Sequence, residues 1–118
     1  MLKILIADDS AFMRTIIRNY IKDVPNLSIT EAEDGEETIK KFGQIIPDIV
    51  FLDIIMPRMS GLDVLKQIKL INKGSRIIMV TSVGQSKVIE EALKSGAERY
   101  ITKPFKAEDL KKIIEQSQ

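Results

Sequence analysis

Short apolar runs alternate with amphipathic stretches along the whole chain. The runs are rich in Ile, Leu and Val, and they lie at Leu2–Ala7, Ile49–Leu52 and Ile77–Val80 and, with weaker patterning, at Leu27–Ala32 and Ala97–Ile101. A run that is apolar on nearly every residue is typical of a strand covered on both faces, as in a parallel sheet. The pattern therefore predicts five strands.

Between these runs, apolar residues recur at helical spacing. The five groups are Phe12, Ile16, Ile17, Tyr20 and Ile21; Ile39, Phe42 and Ile46; Leu62, Leu65 and Ile68; Val88, Ile89, Ala92 and Leu93; and Leu110, Ile113 and Ile114. Turn residues agree, because Asp34-Gly35 precedes the second group, Asn72-Lys73-Gly74 follows the third and Ser95-Gly96 follows the fourth. Five strands alternating with five helices predict an α/β fold, with an open parallel sheet covered by helices on both faces. The 118 residues suit a single domain spanning 1–118.

Composition removes several classes of chemistry. The chain has no Cys and no His, which excludes a Ser-His-Asp triad, a thiolate nucleophile and a Cys/His zinc site. A net charge of +1 argues against a general nucleic-acid binder or a polybasic membrane anchor. No apolar run approaches the roughly 20 residues of a membrane span. We therefore expect a soluble, cytoplasmic protein without a nucleic-acid or membrane partner.

Polar side chains follow four of the predicted strands. They are Asp8-Asp9 after the first, Asp53 after the third, Thr81-Ser82 after the fourth and Lys103-Pro104 after the fifth. In open α/β sheets, ligands bind beyond the carboxyl ends of the strands. If the first and third strands are neighbours, three carboxylates converge and need a cation, and an oxygen donor set with room for water favours Mg²⁺.

The same residues also have ordinary structural explanations. Asp9 or Ser10 could simply cap the following helix, while Asp53, Thr81 and Lys103 could be a solvated carboxylate, a strand former and a solvated charge. Their coincidence at one end of four strands favours a site. A metal, a lysine, a hydroxyl and a carboxylate together suit a phosphoryl group, with an aspartate as nucleophile.

Four segments resemble the receiver domains of two-component response regulators, and the resemblance extends over essentially the whole chain. They are Ile6-Ala7-Asp8-Asp9-Ser10, the run Phe51-Leu52-Asp53-Ile54-Ile55-Met56-Pro57-Arg58-Met59-Ser60-Gly61, Val80-Thr81-Ser82 and Tyr100-Ile101-Thr102-Lys103-Pro104-Phe105. The resemblance implies a doubly wound, flavodoxin-like (βα)5 sheet with strand order 2-1-3-4-5.

By resemblance, Asp53 accepts a phosphoryl group from a histidine kinase. Asp9, Asp53 and the backbone carbonyl of Ile55 would bind Mg²⁺ directly, and Asp8 would act through bound water. The resemblance implies that this chain is the phosphoryl acceptor and not an enzyme in the usual sense.

The remaining site residues follow from the same resemblance. Thr81, Ser82 and Lys103 would contact the phosphoryl group, and the Lys103-Pro104 peptide bond would be cis. Thr81 would move toward the phosphoryl group while Tyr100 turns inward behind it. The last two helices and the strand between them would carry the signal. For Tyr100, ordinary half-buried packing against the sheet is the alternative.

Among receivers, the segments Asp8–Arg14 and Val83-Gly84-Gln85 most resemble stand-alone chemotaxis regulators of the CheY type, whose partners are a chemotaxis kinase and the flagellar motor switch. The first segment and Met56–Leu62 also resemble the receiver of the chemotaxis methylesterase, although the Met1 start and Gln118 end argue against a fragment.

Three further alternatives belong to other classes: a phosphorelay intermediate that passes its phosphoryl group to a histidine, a metal-dependent aspartyl phosphatase, and a flavin binder. The phosphatase is disfavoured because the first strand lacks two aspartates spaced by one residue. The flavin binder is disfavoured because no Ser/Thr/Gly-rich loop follows that strand. Finally, Ile55 and Val83 stand where some fast-dephosphorylating receivers have polar residues, which suggests slow self-hydrolysis or a neutral variation in loop packing.

Overall fold

The computed structural model describes residues 1–82 and 86–118, and ten elements alternate along them. The strands are β1 (Leu2–Ala7), β2 (Leu27–Ala32), β3 (Ile49–Asp53), β4 (Arg76–Thr81) and β5 (Arg99–Thr102). The helices are α1 (Ala11–Ile21), α2 (Gly35–Ile45), α3 (Gly61–Ile71), α4 (Ser86–Lys94) and α5 (Ala107–Glu115). The predicted alternation of five strands and five helices is confirmed.

All neighbouring strands pair in parallel, in the order β2-β1-β3-β4-β5. This is the doubly wound order expected from the resemblance. The chain moves from β1 to one side to form β2 and then returns to form β3 on the other side of β1. The carboxyl ends of β1 and β3 therefore lie side by side, with Ala7 opposite Leu52, at the point where the winding reverses.

The sheet is covered on both faces, and each face has its own core. On one face Leu5, Leu52 and Met79 pack with Phe42 of α2 and Leu65 of α3. On the other face the core is formed by Ile4, Ile6 and Phe51 together with Ile17 of α1 and Ile114 of α5. Successive strand residues point to opposite faces, so both sets of side chains must be apolar. This explains why the central strands have no polar alternation.

The helices α1, α2 and α3 each begin after a residue whose side chain caps them. Ser10 caps α1 by accepting a hydrogen bond from Met13 N at 3.2 Å. Asp34 caps α2 and Ser60 caps α3 in the same way, from Glu37 N at 2.8 Å and Asp63 N at 3.2 Å. Of the two capping residues considered for α1, the structure therefore selects Ser10.

One position in the predicted helix patterns is wrong, and another lies in its helix but away from the buried face. Ile46 does not continue α2 but follows its last residue in a left-handed conformation, with φ of 43°. Phe12 lies in α1 yet is 76% exposed, whereas Ile17 and Ile21 are buried. At about 100° per residue, Phe12 stands roughly 140° around the helix from Ile17, so it cannot reach the same core.

The strand bounds also shift slightly from the predicted runs. Asp53 and Thr81 are the last residues of β3 and β4 and do not follow those strands. β5 begins at Arg99, two residues later than predicted, and Ala97 packs instead into the core beneath α3 and α4. None of the helices in the described ranges is long and apolar enough to cross a membrane.

Candidate functional site

Three carboxylates meet at the reversal point of the sheet. Asp8 and Asp9 follow β1, and Asp53 ends β3 next to it. One carboxylate oxygen from each of the three lies within 4.8 Å of the others. Asp8 and Asp53 are buried, whereas Asp9 is exposed. Two of the three carboxylates thus lie in the protein interior, and the third is open to solvent.

Asp8 is held by two hydrogen bonds. Its Oδ1 accepts from Ser10 N at 2.9 Å, and its Oδ2 accepts from Lys103 Nζ at 3.1 Å. Because each oxygen already has a protein donor, the carboxylate has a fixed orientation. This fits the expectation that Asp8 would act on a metal through water, which stays a prediction.

Lys103 lies between two of the carboxylates. Its Nζ is 3.1 Å from Asp8 Oδ2 and 3.5 Å from Asp53 Oδ2, and its side chain is only 18% exposed. Its backbone N–H donates to Thr81 O at 2.7 Å, which ties the residue to the end of β4. The expected cis Lys103-Pro104 peptide bond is present.

The surroundings of Asp53 raise the pKa of its carboxyl group. Burial, and then the charges of Asp8 and Asp9, raise the pKa of Asp53 to about 6, although the Lys103 charge and a hydrogen bond from Ile55 N oppose them. Burial disfavours the charged form, and neighbouring anions add to this effect. A further cation next to Asp53 would therefore stabilise the ionised form of its carboxyl group.

The donor set fits Mg²⁺. Three oxygen-bearing side chains converge, one of them exposed, which leaves room for water ligands. Mg²⁺ prefers hard oxygen ligands and usually keeps several waters. The family resemblance also implied the backbone carbonyl of Ile55 as a ligand. In the structure, Ile55 N donates to Asp53 Oδ1 at 3.3 Å, which brings the Ile55 backbone to the cluster.

The predicted phosphoryl-contacting residues lie at the neighbouring strand end. Thr81 ends β4 and is 2% exposed, and Ser82 beside it is exposed. The register of β3 and β4 pairs Asp53 with Val80, so Thr81 is one residue beyond the residue opposite Asp53. Val83, which was considered together with Ile55 for its effect on self-hydrolysis, lies outside the described residues.

Tyr100 lies on a different strand from the three carboxylates. It lies on β5 opposite Met79 and is 44% exposed. A partly exposed ring at this position fits both the switch role and the packing alternative. Its inward movement stays a prediction.

Gly61 was part of the motif, but its physical role was missed. Its N–H donates to Ile54 O at 2.7 Å, and a Cβ atom there would lie 1.9 Å from Asp53 O. The loop from β3 therefore folds back so tightly onto its own strand that only glycine fits. A glycine one residue after a helix cap, shortly after a carboxylate, was the available signal.

Comparison with known proteins agrees with this geometry. Residues 4–115 match the response regulator receiver domain family. The chemotaxis protein CheY of Listeria monocytogenes is 44% identical over 117 residues, which cover 99% of this chain and 98% of that protein.

Solved structures agree as well. The response regulator domain of Thermotoga maritima CheB has a TM-score of 0.89 at 34% identity, covering 98% of this chain and 95% of that one. In the CheX-CheY-BeF3-Mg complex of Borrelia burgdorferi, the matching chain has a TM-score of 0.86 at 30% identity, covering 98% of this chain and 88% of that one. The chain therefore belongs to the response regulator receiver domains of two-component systems and is CheY-like among them.

Proposed function

We propose that this chain is a phosphorylation-dependent switch that accepts a phosphoryl group on Asp53 from a histidine kinase in the presence of Mg²⁺. The observation that carries the proposal is the position of Asp53, a buried carboxylate within 4.8 Å of Asp8 and Asp9 and 3.5 Å from Lys103. A nucleophile, a cationic side chain and a divalent-cation donor set are thus combined. Phosphoryl transfer requires this positioning and charge stabilisation.

The chemistry follows from these contacts. An Asp53 oxygen attacks phosphorus, the bond from phosphorus to the donor nitrogen breaks, and an acyl phosphate forms. Lys103, already at the Asp53 carboxylate, stabilises negative charge on the phosphoryl oxygens. Thr81 supplies a hydroxyl at the neighbouring strand end. When bound by the three aspartates, Mg²⁺ would offset their charge and that of the phosphoryl group. The chain acts as the acceptor and not as a multiple-turnover enzyme.

The signal would leave through α4, β5 and α5. Lys103 and Thr81 connect the site to this region, because Lys103 follows β5 and donates to Thr81 O. Tyr100 on β5 is 44% exposed, so its ring has room to change its packing. A coupling free energy of about 1–3 kcal/mol between site and surface is enough to shift a two-state population.

The relatives favour chemotaxis as the setting. A chemotaxis protein CheY is 44% identical over nearly the whole chain, and a related CheY forms a complex with CheX in the presence of BeF3 and Mg. We therefore expect a chemotaxis-type kinase as donor and the flagellar motor switch, or another phosphorylation-dependent target, as partner. The chain is also similar to the CheB receiver. The second candidate is therefore the receiver of a larger chemotaxis regulator.

Labelling with acetyl phosphate tests the acceptor role. The wild type should gain the mass of one phosphoryl group only when Mg²⁺ is present, and Asp53→Asn should gain none. Asp23→Asn is the matched control, since Asp23 is an exposed carboxylate paired with Lys111. Equal labelling of Asp53→Asn and wild type would refute the site.

A binding experiment tests the output. Purified motor-switch protein should retain the chain only after it has been phosphorylated. Transfer of the phosphoryl group to a histidine phosphotransfer protein, without binding to the motor-switch protein, would instead support a phosphorelay intermediate.

A further inference from the structure

Arg14, on α1, forms hydrogen bonds with the backbone of Asp8 and with the carboxylate of Glu31. Its NH1 group donates to the backbone carbonyl of Asp8 at 2.7 Å, and its Nε donates to Glu31 Oε1 at 3.0 Å. The side chain is only 14% exposed. One guanidinium therefore connects α1 with the end of β1 and with β2.

The carbonyl that Arg14 contacts belongs to the peptide unit between Asp8 and Asp9. A peptide unit is planar, so fixing its oxygen fixes the orientation of the whole unit. The two side chains branch from the Cα atoms at the two ends of this unit. Arg14 thus holds the peptide unit from which both carboxylate side chains branch.

Glu31 holds the guanidinium in this position. Its other oxygen accepts from Arg18 Nε at 2.7 Å, so the carboxylate is shared between two arginines. Burial would raise the pKa of Glu31, but the hydrogen bonds from Arg18 and Arg14 outweigh it and lower the pKa. An ionised Glu31 then completes a forked arrangement that a lysine at position 14 could not reproduce.

We propose that Arg14 is a positioning residue for the divalent-cation site, acting through the peptide unit between Asp8 and Asp9. This inference rests on the proposed function, which includes Mg²⁺ binding by these aspartates. Side chains that orient metal ligands typically change metal affinity by roughly 10- to 100-fold. Arg14 acts through the backbone, so we expect the low end, about 10-fold weaker Mg²⁺ binding without it.

The sign of the effect separates positioning from charge. Arg14 is a cation close to a cation-binding site, and by Coulomb's law its removal should strengthen Mg²⁺ binding. Loss of positioning should weaken it. A weaker affinity in a variant that has lost a positive charge therefore identifies the positioning role.

Calorimetric titration of the full chain with Mg²⁺ alone provides the test, on wild type, Arg14→Gln, Arg14→Lys and Arg18→Gln. Arg18→Gln is the matched control, because Arg18 also pairs with Glu31 but its second contact is Ile29 O and not Asp8 O. We expect about 10-fold weaker binding for Arg14→Gln, an intermediate loss for Arg14→Lys, and wild-type affinity for Arg18→Gln.

Several outcomes would overturn the inference. They are an unchanged or tighter affinity for Arg14→Gln, wild-type affinity for Arg14→Lys, and an equal loss for Arg18→Gln. If Arg14→Gln does not fold, as judged by urea unfolding in EDTA, the Arg14→Lys result decides. A wild-type chain that binds no Mg²⁺ would instead refute the metal site of the proposed function itself.

Discussion

Lys103 is nearer to Asp8 than to Asp53, with Nζ–Oδ2 distances of 3.1 and 3.5 Å. The lysine thus bridges two carboxylates and is not paired with Asp53 alone. A phosphoryl group on Asp53 would carry more negative charge than Asp8. Lys103 should then move from Asp8 and pair with the phosphoryl group. Under the proposed function, this movement of Lys103 would pass to β5, the strand that it follows.

Removing the Lys103 charge should impair phosphorylation. In Lys103→Met, the pKa of Asp53 should rise further above about 6, because the Lys103 charge lowers it in the wild type. The developing charge on the phosphoryl group would also lose its stabilising cation, and we expect about 100-fold slower labelling by acetyl phosphate. Lys111→Met, which breaks the more exposed pair with Asp23, should label at the wild-type rate. Equal rates for Lys103→Met and wild type would contradict the role.

The sheet and its site were predictable from the sequence to different degrees. The central strands are buried on both faces, so their apolar runs identify them directly. The convergence of Asp8, Asp9 and Asp53 depends on β1 and β3 being neighbours, which the alternation of elements does not specify and which the family resemblance supplied. Local patterns thus identified elements, and strand order needed information about long-range pairing.

Three features of the structure were not predicted from the sequence, each for a specific physical reason. Phe12 fits an apolar helical pattern, but exposure depends on which side of α1 meets the sheet. Arg14 was not expected at the site because its contact is with a backbone carbonyl, which no side-chain motif reports. Gly61 was seen only as part of a motif because its close approach to Asp53 O exists only in the folded loop.

Asp53 should destabilise the folded chain at neutral pH when Mg²⁺ is absent. Its pKa is about 6 in the folded state against 3.8 for an ordinary Asp, so the folded state binds this proton more tightly. The stabilisation from that proton is fully present below about pH 4 and is lost as the pH rises through about 6. Asp53→Asn should therefore be more stable than wild type at pH 7 by about 1–3 kcal/mol, and the difference should shrink toward pH 4.

Urea unfolding in EDTA between pH 4 and pH 8 measures this difference. Asp23→Asn is the control of opposite sign, since a hydrogen bond from Lys111 lowers the pKa of Asp23. Adding Mg²⁺ should stabilise the wild type more than Asp53→Asn, because a ligand of the folded state raises its stability. A pH-independent difference between the two proteins, or a less stable Asp53→Asn, would argue against a charge effect.

Gly61→Ala should destabilise the loop that supports Asp53. The added Cβ would lie 1.9 Å from Asp53 O and 2.7 Å from the Cα of Ile54, and both are backbone atoms of the adjoining strand end and loop. We expect a loss of about 3 kcal/mol or more, at or beyond the upper end of ordinary overpacking. Labelling of Asp53 should fall as well, since its backbone must shift.

Gly43→Ala is the matched control for this substitution. Gly43 lies inside α2, and a Cβ there would meet nothing within 4 Å. Alanine in an open helical position should stabilise the chain by about 0.5–1 kcal/mol. Urea unfolding of the two variants should thus give changes of opposite sign, and two changes of the same sign would contradict the steric argument.

Ile55 should slow the hydrolysis of the acyl phosphate on Asp53. Its N–H donates to the Asp53 carboxylate while its side chain is 62% exposed, so an apolar group stands beside the open face of the site. Such a group cannot hydrogen-bond an attacking water. Ile55→Asn supplies an amide that can orient one, and acyl-phosphate decay should become several-fold faster. Combining it with Val83→Glu should accelerate decay further.

Decay is measured by following the loss of phosphoryl mass after acetyl phosphate has been removed. Leu70→Asn is the matched control, because Leu70 is 82% exposed on α3, so this variant makes the same kind of change away from the acidic cluster. Its decay should equal that of the wild type. If Ile55→Asn also decays at the wild-type rate, the apolar side chain at position 55 is a neutral variation in loop packing. Equal acceleration in both variants would point to a general loosening of the chain and not to a water oriented at Asp53.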